Sequence, residues 1–269
     1  MESSPNFTVV RPTKPAAPYI GGKRNLARRL VDLIEVTPHR TYAEPFVGMA
    51  GVFLRRRRRP QAEVINDWSR DVATFYRILQ RHYVAFMEML RFQITTRAEF
   101  ERLSAENPDT LTDLERAARF LYLQRVAFGG KVNGRNFGVS HHRPARFDVT
   151  KLASALEELH ERLAGVVIER LPWQAFLARY DTPDTLFYLD PPYYGCEGDY
   201  GPGMFDRAEF EELATLLAAI EGRFILSLND RPEVREIFAG FQIAEAATHY
   251  GVSGQGARPA AEVIIRGRG

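Results

Sequence analysis

Three short apolar runs that each end in an acid constrain the fold of this chain most. They are "AEVIND" (62–67), "TLFYLD" (185–190) and "RFILSLND" (223–230). Runs of this length, rich in β-branched and aromatic residues, are typical of buried strands. Stretches with helical spacing, such as "GGKRNLARRLVDLIE" (21–35) and "SRDVATFYRILQ" (69–80), alternate with the strands. The pattern predicts an α/β fold with a parallel sheet.

The middle of the chain interrupts this pattern. Residues 81–127 have helical patterning throughout, and 128–147 carry several glycines among polar and basic residues. The second stretch is typical of a β-hairpin or an ordered loop. We therefore expect an α/β catalytic domain formed by 1–75 and 151–269. A mostly helical, hairpin-bearing domain over 76–150 would be inserted into it.

Composition places the chain among ordinary soluble proteins. It has 269 residues, 45% of them hydrophobic, and a formal net charge of +2. No run approaches the roughly 18 uninterrupted apolar residues of a membrane span, so we expect no membrane partner. The single cysteine, Cys196, cannot form an internal disulfide or a cysteine cluster for a metal. One cysteine suits a reducing compartment, and we expect a cytoplasmic protein.

Positive charge is concentrated in two places. "RRRRR" occupies 55–59, and 125–147 is rich in arginine, lysine and histidine with almost no acid. Such patches are expected where a protein contacts phosphates. For the arginine run the alternative is a solvated helix end before Pro60, where cations suit the negative end of the helix dipole. Both interpretations stay open at this point.

Three carboxylates lie at the ends of predicted strands. They are Glu44, Asp67 and Asp190, and in open α/β sheets ligands bind beyond the carboxyl ends of strands. Glu44 precedes "PFVGMAG" (45–51), whose glycines permit a tight turn and close approach to a ligand. An acid after the second strand, here Asp67, commonly accepts ribose hydroxyls. The loop lacks both GxGxxG and GxxxxGK[ST], so the pattern favours an adenosine cofactor without phosphate, namely S-adenosylmethionine.

Asp190 begins a rigid tip, because Pro191, Pro192 and Tyr193 follow it directly. Each proline fixes φ and removes an N–H donor, and the residue before a proline is held in extended geometry. A carboxylate, a backbone carbonyl and a ring together suit a planar base with an exocyclic NH₂ group. The oxygens would accept its two hydrogens while the ring packs on its plane. A plain turn is the alternative.

Taken together, these motifs resemble the Dam-type DNA adenine methyltransferases, and the resemblance covers nearly the whole chain. The order of the segments, with cofactor motifs first, then the recognition segment and then the catalytic motif, is that family's alpha-class arrangement. The similar segments are "PYIGGKRNL" (18–26), "AEPFVGMAGVF" (43–53), "VINDWSRD" (64–71), "FLYLQRVAFGGKVNGRNFGV" (120–139), "FYLDPPYYG" (187–195) and "YGVSGQGARPAAEVIIR" (250–266).

The resemblance implies a Rossmann-like, S-adenosylmethionine-dependent methyltransferase sheet and assigns roles to matching residues. The implied catalytic residues are Asp190, Pro191, Pro192 and Tyr193. The implied cofactor-binding residues are Tyr19, Lys23, Glu44, Phe46, Gly48, Asp67 and Asp190. The expected DNA-binding residues are Arg125, Lys131, Asn133, Arg135 and Asn136. Phe128 is either a wedge that enters the base stack or a buried anchor of the predicted hairpin.

The implied reaction transfers a methyl group from S-adenosylmethionine to the N6 amine of adenine. Because that amine lies inside a duplex, the base must be flipped out, and Tyr193 is the expected stacking partner. No metal is required. The expected partner is double-stranded DNA, bound by a monomer. The recognised DNA sequence, and whether a cognate restriction nuclease exists, cannot be deduced from the chain.

Three alternatives use similar features. A cytosine N4 methyltransferase shares the amine chemistry, but its catalytic motif more often begins with serine. RNA adenine methyltransferases usually have asparagine in place of the aspartate. A non-catalytic DNA-binding module could retain the fold, but the intact Lys23, Asp67 and Asp190 favour an enzyme.

Overall fold

The computed structural model describes residues 7–23, 25–138, 142, 144–201, 203–250 and 258–267, apart from the side chains of 247–250 and 258–260. Val139 and residues 251–257, which contribute to the family resemblance, lie outside the described residues. No helix in the described part is long and apolar enough to cross a bilayer.

Within the described residues, the strands form a seven-stranded sheet and a separate two-stranded sheet. The large sheet has the order β5-β4-β2-β6-β7-β9-β8, and the small one pairs β1 with β3. The first five strands of the large sheet are parallel, whereas β9 runs antiparallel to both of its neighbours. The strands are β1 (Thr8–Val9), β2 (Thr41–Glu44), β3 (Arg58–Arg59), β4 (Ala62–Asn66), β5 (Val167–Glu169), β6 (Thr185–Leu189), β7 (Arg223–Asn229), β8 (Gln242–Tyr250) and β9 (Arg258–Arg266).

The α-helices of the described residues connect these strands and cover the sheet. They are α1 (Ala27–Val36), α2 (Arg70–Arg81), α3 (Tyr83–Leu90), α4 (Arg97–Ala105), α5 (Asp113–Val126), α6 (Val149–Arg162), α7 (Trp173–Tyr180), α8 (Glu209–Ala219) and α9 (Pro232–Ile237). Short 3-10 turns lie at Phe53–Arg55, Pro108–Thr110, Phe128–Gly130 and Glu197–Tyr200.

β6 shows why this sequence forms a central strand. All five of its residues are buried, and alternate side chains point to opposite faces of the sheet. Leu186 and Tyr188 join the core cluster that includes α1, α2, α5 and α6. Phe187 and Leu189 join the second cluster, which includes α7 and α8. A continuous apolar run is what a parallel strand covered on both faces requires.

The inserted helices share the first of these clusters. Phe120 of α5 packs on Phe75 of α2 with ring centroids 5.9 Å apart. α5 begins with a capping box, in which Thr112 and Glu115 each accept a hydrogen bond from the other's backbone N–H. The predicted division of the chain at residues 76 and 150 stays a prediction.

Of the two predicted forms of the segment after α5, a β-hairpin or an ordered loop, its described part takes the form of an ordered loop. An antiparallel bridge joins Ala127 to Phe137. The Phe128 N–H donates to the Asn136 carbonyl at 2.8 Å, and the Gly138 N–H donates to the Val126 carbonyl at 2.8 Å. The chain therefore leaves α5 and returns beside it in a closed loop.

The order of the strands reverses at β2 and β6. From β2 the chain adds β4 and β5 on one side, and β6 and β7 lie on the other. Glu44 ends β2, and Asp190 directly follows β6. Such a switch point is where open α/β sheets bind ligands. The predicted α/β fold class with a mostly parallel sheet is confirmed.

Candidate active site

A cavity of about 840 Å³ opens at the carboxyl ends of β2, β4 and β6. A pocket of this size accommodates a ligand as large as a nucleoside derivative. The structure brings to its wall all the residues predicted to bind a cofactor and part of the predicted catalytic motif. These lining residues are Tyr19, Lys23, Glu44, Phe46, Gly48, Asp67, Asp190 and Pro192.

Gly48 turns the chain after β2 and leaves room for an aromatic ring. Its φ of +49° lies in the left-handed region that side chains other than glycine rarely adopt. A Cβ atom at Gly48 would lie 3.0 Å from Cε1 of Tyr19. The ring of Tyr19 therefore lies directly on the turn, and Tyr200 flanks its ring with a centroid distance of 5.9 Å.

Asp67 stabilises the same turn through its carboxylate. Oδ2 accepts a hydrogen bond from the Gly48 N–H at 2.9 Å, and Oδ1 accepts one from the Ser69 N–H at 2.9 Å. Burial raises the pKa of Asp67 to about 6, although the two N–H donors oppose this rise. The carboxylate thus links the turn after β2 to the entry of α2.

Glu44 lies fully within the sheet, at 2% exposure. Its Oε2 accepts a hydrogen bond from the Tyr42 hydroxyl at 2.6 Å, across two positions of the same strand. Burial raises the pKa of Glu44 to about 8, and the Tyr42 hydrogen bond and Arg56 lower it only in part. A cation placed beside Glu44 would strongly stabilise its ionised form and lower its pKa.

Asp190 is paired with Lys23, which is 1% exposed. The Lys23 Nζ lies 2.7 Å from Asp190 Oδ1 and 3.7 Å from Glu262 Oε2. Ser227 also donates to Asp190 Oδ1, at 3.3 Å. Burial raises the pKa of Asp190 to about 6, while Lys23 pulls it down. The carboxylate keeps 20% of its side-chain surface open and lines the cavity, so it can still accept a hydrogen bond from a ligand.

Tyr193 is held by the same lysine. The Lys23 Nζ donates to its hydroxyl at 2.9 Å and lies 4.2 Å from the ring centroid. The rest of the tip is fixed by Asn229 at the end of β7. Its side-chain amide accepts from the Tyr194 N–H at 2.9 Å and donates to the Tyr194 carbonyl at 3.0 Å. Pro191 and Pro192 are buried.

Two amides that the sequence analysis did not select carry much of this geometry. Asn229 is one, and Asn66 at the end of β4 is the other. The Asn66 Nδ2 donates to the Pro45 carbonyl at 2.9 Å, and Oδ1 accepts from the Leu171 N–H at 2.8 Å. Both asparagines directly precede an aspartate at a strand end, and that repeated "ND" was the available signal.

Aromatic side chains form one wall of the cavity. Phe46 packs on Phe205 with a centroid distance of 5.8 Å and on Trp173 at 6.4 Å. Trp68, which is 40% exposed, also lines the cavity. The carboxylates and the flat apolar wall therefore face one shared space.

Arg125 differs from the other predicted DNA-binding residues. Its guanidinium donates to the Arg146 carbonyl through Nε at 3.0 Å and Nη2 at 2.8 Å. A third donation goes to the Ala16 carbonyl. These bonds connect Arg125 to the N-terminal segment and to Arg146, which lies beyond the loop after α5.

The remaining predicted DNA-binding residues lie together on the loop after α5. Asn133 Nδ2 donates to the Gly198 carbonyl at 3.4 Å, and Arg135 Nη2 donates to Gln124 Oε1 at 3.4 Å. Phe128 is 46% exposed, so it is not a buried anchor. The four residues of this set are Lys131, Asn133, Arg135 and Asn136.

Comparison with known protein families shows which family this protein belongs to. The family model described as D12 class N6 adenine-specific DNA methyltransferase matches residues 19–252. The chain belongs to this family. The match includes both halves of the sheet and the inserted helices, so the predicted Dam-type resemblance is confirmed. This is an adenine-specific DNA methyltransferase, and membership of the family implies S-adenosylmethionine as methyl donor.

Individual relatives extend over similar lengths. The type II methyltransferase M.CviBI of Paramecium bursaria Chlorella virus NC1A is 23% identical over 242 residues, covering 88% of this chain and 91% of the relative. The type II methyltransferase M1.LlaDCHI of Lactococcus lactis subsp. cremoris is 26% identical over 283 residues, covering 95% and 96%. A solved structure of a putative RNA methyltransferase from Pyrococcus horikoshii has a TM-score of 0.41 and 9% identity, covering 95% of this chain and 91% of its own.

Proposed function

We propose that this methyltransferase acts on an adenine flipped out of duplex DNA, with Asp190 and the Pro191 carbonyl as acceptors for its N6 hydrogens. The observation that carries the proposal is the position of Asp190. It lies at the switch point of the sheet, in the cavity that Gly48 and Asp67 also line. Because Lys23 and Ser227 both bind Oδ1, we take Oδ2 as the oxygen that accepts from the substrate.

The cavity fits S-adenosylmethionine. The cofactor carries a sulfonium and an ammonium, and the buried carboxylates of Asp67 and Asp190 offer complementary charge. Glu44, whose pKa burial raises to about 8, would ionise once a cation lies beside it. Gly48 allows close approach to the backbone, and Phe46 and Trp68 offer apolar faces for an adenine ring. We assign Tyr19, Lys23, Glu44, Phe46, Gly48, Asp67 and Asp190 to its site. When bound, the cofactor supplies the electrophilic methyl group.

Asp190 activates the amine by accepting a hydrogen bond. The lone pair of N6 is delocalised into the ring, so the amine is a weak nucleophile. Acceptors placed on both N–H groups draw the nitrogen towards tetrahedral geometry and release the lone pair. Because these acceptors are fixed before the reaction, they stabilise the developing positive charge without reorganisation. Lys23 holds Asp190 in place, and the two prolines keep the Pro191 carbonyl fixed.

We assign base flipping and DNA recognition to the loops around the cavity. Tyr193 is the proposed stacking partner of the flipped base. Phe128 is exposed beside the cavity-lining Gly129, where it can enter the gap that the base leaves. Lys131, Asn133, Arg135 and Asn136 contact the duplex, with arginine and lysine suited to phosphates or guanine edges. Arg125 supports this surface through its backbone bonds.

The decisive experiment uses labelled S-adenosylmethionine with plasmid DNA and, in parallel, RNA. Digestion to nucleosides identifies the modified base, and N6-methyl-2′-deoxyadenosine from DNA, with no labelled nucleoside from RNA, is the expected product. Label on cytosine or on RNA would overturn the proposed substrate.

A variant pair tests the role of the carboxylate. Asp190→Ala should lose at least about 100-fold in turnover while the protein stays folded. Asp184→Ala is the control, because Asp184 is exposed and pairs only weakly with Arg40 at 3.8 Å. Turnover of Asp190→Ala above a few per cent of wild type would contradict the mechanism.

A further inference from the structure

Gln124, near the end of α5, joins two loops that the proposed function assigns to different ligands. Its side chain is fully buried, with 0% exposure. The Nε2 group donates to the Pro18 carbonyl at 2.8 Å and to the Gly130 carbonyl at 2.7 Å. One amide therefore holds both the segment before Tyr19 and the first turn of the loop at 127–138, which we call the recognition loop.

The two loops also contact each other directly. The Ile20 N–H donates to the Gly130 carbonyl at 3.0 Å. Gly130 has a φ of +70°, and a Cβ there would lie 3.0 Å from both the Pro18 carbonyl carbon and the Tyr19 nitrogen. Because there is no space between them, movement of one loop displaces the other. Tyr19 transmits that displacement to the turn at Gly48, where its ring packs.

The opposite side of the same amide faces the DNA-binding residues. Oε1 of Gln124 accepts from Arg135 Nη2 at 3.4 Å, and Arg135 Nε donates to the Lys131 carbonyl at 3.2 Å. Two carbonyls on Nε2 and a guanidinium on Oε1 match the donor and acceptor groups of the amide. Gln124 thus has one hydrogen bond to each of the cofactor loop, the recognition loop and a DNA-facing arginine.

We propose that Gln124 is a positioning residue that couples DNA binding to cofactor binding. The proposal rests on the proposed function, which places the cofactor at Tyr19 and DNA at 131–136. Ordering the recognition loop on DNA fixes Gly130, and through Gln124 fixes Pro18 and Tyr19. Coupling between two binding sites is reciprocal, so the cofactor must strengthen DNA binding by the same factor.

The test compares the affinity for S-adenosylhomocysteine, which cannot react, with and without saturating plasmid DNA. Calorimetry on the wild type should show affinity at least about 5-fold tighter with DNA. In Gln124→Met, which removes the side-chain hydrogen bonds but keeps the side-chain length, this ratio should fall by at least about 2-fold, because only the direct contact between Ile20 and Gly130 remains.

Gln80→Met is the matched control. Gln80 Nε2 also donates to two backbone carbonyls, those of Leu163 at 2.7 Å and Val166 at 2.9 Å, but it lies away from both loops. Its coupling ratio should equal that of the wild type. An unchanged ratio in Gln124→Met, or a wild-type ratio near unity, would overturn the coupling. Absence of any binding of S-adenosylhomocysteine or DNA to the wild type would instead overturn the proposed function.

Hydrogen exchange on the wild type tests the proposal even if Gln124→Met does not fold. S-adenosylhomocysteine alone should slow exchange of the Phe128 and Gly138 amides, which bond to the Asn136 and Val126 carbonyls. Exchange of these amides that does not respond to the ligand would count against the coupling.

Discussion

The ammonium of Lys23 lies among two carboxylates and a phenol, and it lowers the pKa of Asp190, the carboxyl proposed to be catalytic, against the effect of burial. A buried ion pair gains stability only when its geometry is good and further hydrogen bonds are made. Lys23 meets this condition through Asp190 at 2.7 Å and the Tyr193 hydroxyl at 2.9 Å. The residue predicted to touch the cofactor therefore also orients the carboxylate that we propose to contact the base.

The pH dependence of the reaction should report Asp190. The ionised carboxylate is a stronger acceptor for an N–H than the neutral acid, and burial raises the pKa of Asp190 to about 6. We expect kcat/KM to fall as the pH drops through about 6, because protonation weakens the acceptor and removes its negative charge. A rate profile from about pH 5 to about pH 9 at fixed ionic strength measures this. Activity that stays constant across the whole acid range would argue against the assignment.

Replacing Lys23 should change the pH at which kcat/KM falls on the acid side of the profile, the acid limb. The lysine lowers the pKa of Asp190, so Lys23→Met should raise the pKa and shift the limb to higher pH. Lys23→Arg retains the charge and serves as the control, with a smaller shift expected. The two pH profiles are compared at saturating DNA. A limb that does not move in Lys23→Met would show that Lys23 does not set the charge of Asp190.

At the scale of elements, the turn after β2 depends on glycine for two separate reasons. Gly48 has a positive φ, and its missing Cβ makes room for Tyr19. Gly48→Ala should lower the free energy of unfolding by about 1–2 kcal/mol for the backbone alone, and by more because of the ring. Affinity for S-adenosylhomocysteine should fall as well. Urea denaturation and calorimetry measure the two effects.

Gly134→Ala separates these contributions. Gly134 has a φ of +59°, but a Cβ atom added there would have nothing within 4 Å, so the substitution adds only backbone strain. Gly134→Ala could lose as much free energy of unfolding as Gly48→Ala, with the affinity for S-adenosylhomocysteine unchanged in both variants. That result would show that the position of Tyr19 does not depend on the turn.

The arginine run differs most from its predicted form. A solvated helix end was one interpretation, but the chain makes a 3-10 turn at Phe53–Arg55 and the short strand β3 at Arg58–Arg59. Arg56 is fully buried over the ring of Tyr42, with its guanidinium carbon 3.6 Å from the centroid. The solvated interpretation is wrong for Arg56, and its burial also keeps it from DNA phosphates.

Glu63 explains why this arginine is tolerated inside. It is 1% exposed and binds Arg56, Arg162 at 2.6 Å and Arg59 at 3.2 Å. Glu63→Gln should lower the free energy of unfolding by about 3–5 kcal/mol, because the buried guanidinium groups lose their counter-charge. Urea denaturation measures this loss.

Glu88→Gln is the surface comparison for Glu63. Glu88 pairs with Arg91 at 3.5 Å in solvent, and about 0–1 kcal/mol is expected from its loss. Similar losses at the two positions would contradict the importance of the buried network.

At the scale of the whole molecule, one apolar cluster joins the sheet to the inserted helices. Phe120 of α5, Phe75 of α2 and Tyr188 of β6 all belong to it. We therefore expect the inserted helices and the sheet to unfold in one transition, since neither buries its apolar surface alone. A single transition would mean that the predicted insertion at 76–150 has no stability separate from the sheet.

Two probes can test this cooperativity. The two tryptophans, Trp68 and Trp173, both line the active-site cavity, whereas far-ultraviolet circular dichroism is dominated by the helices. The urea midpoints from tryptophan fluorescence and from circular dichroism should coincide. Loss of helical signal at a lower urea concentration than the tryptophan signal would show that the inserted helices unfold first.

Local signals in the sequence were enough to predict the central strands and the catalytic tip. An apolar run forms β6, and two prolines fix the backbone after Asp190. The acids at the strand ends were predicted to lie near one another, because parallel strands end at a common edge of the sheet. Helix α7 and strand β8 were not predicted. "WQAFLARY" has helical spacing but only over eight residues, which is short for a helix predicted from pattern, and "QIAEAATHY" shows no clear alternation and gains its form from pairing with β9.

The partners of the buried polar groups could be learned from the folded chain alone. Lys23 reaches Tyr193 across 170 positions, and Gln124 reaches Pro18 across 106. Arg56 is buried although it stands in a run of five arginines. A sequence pattern reports which groups a residue carries, but the energy of a buried charge or amide depends on the group that folding places against it. That placement is set by the order of strands in the sheet and the helices packed on it.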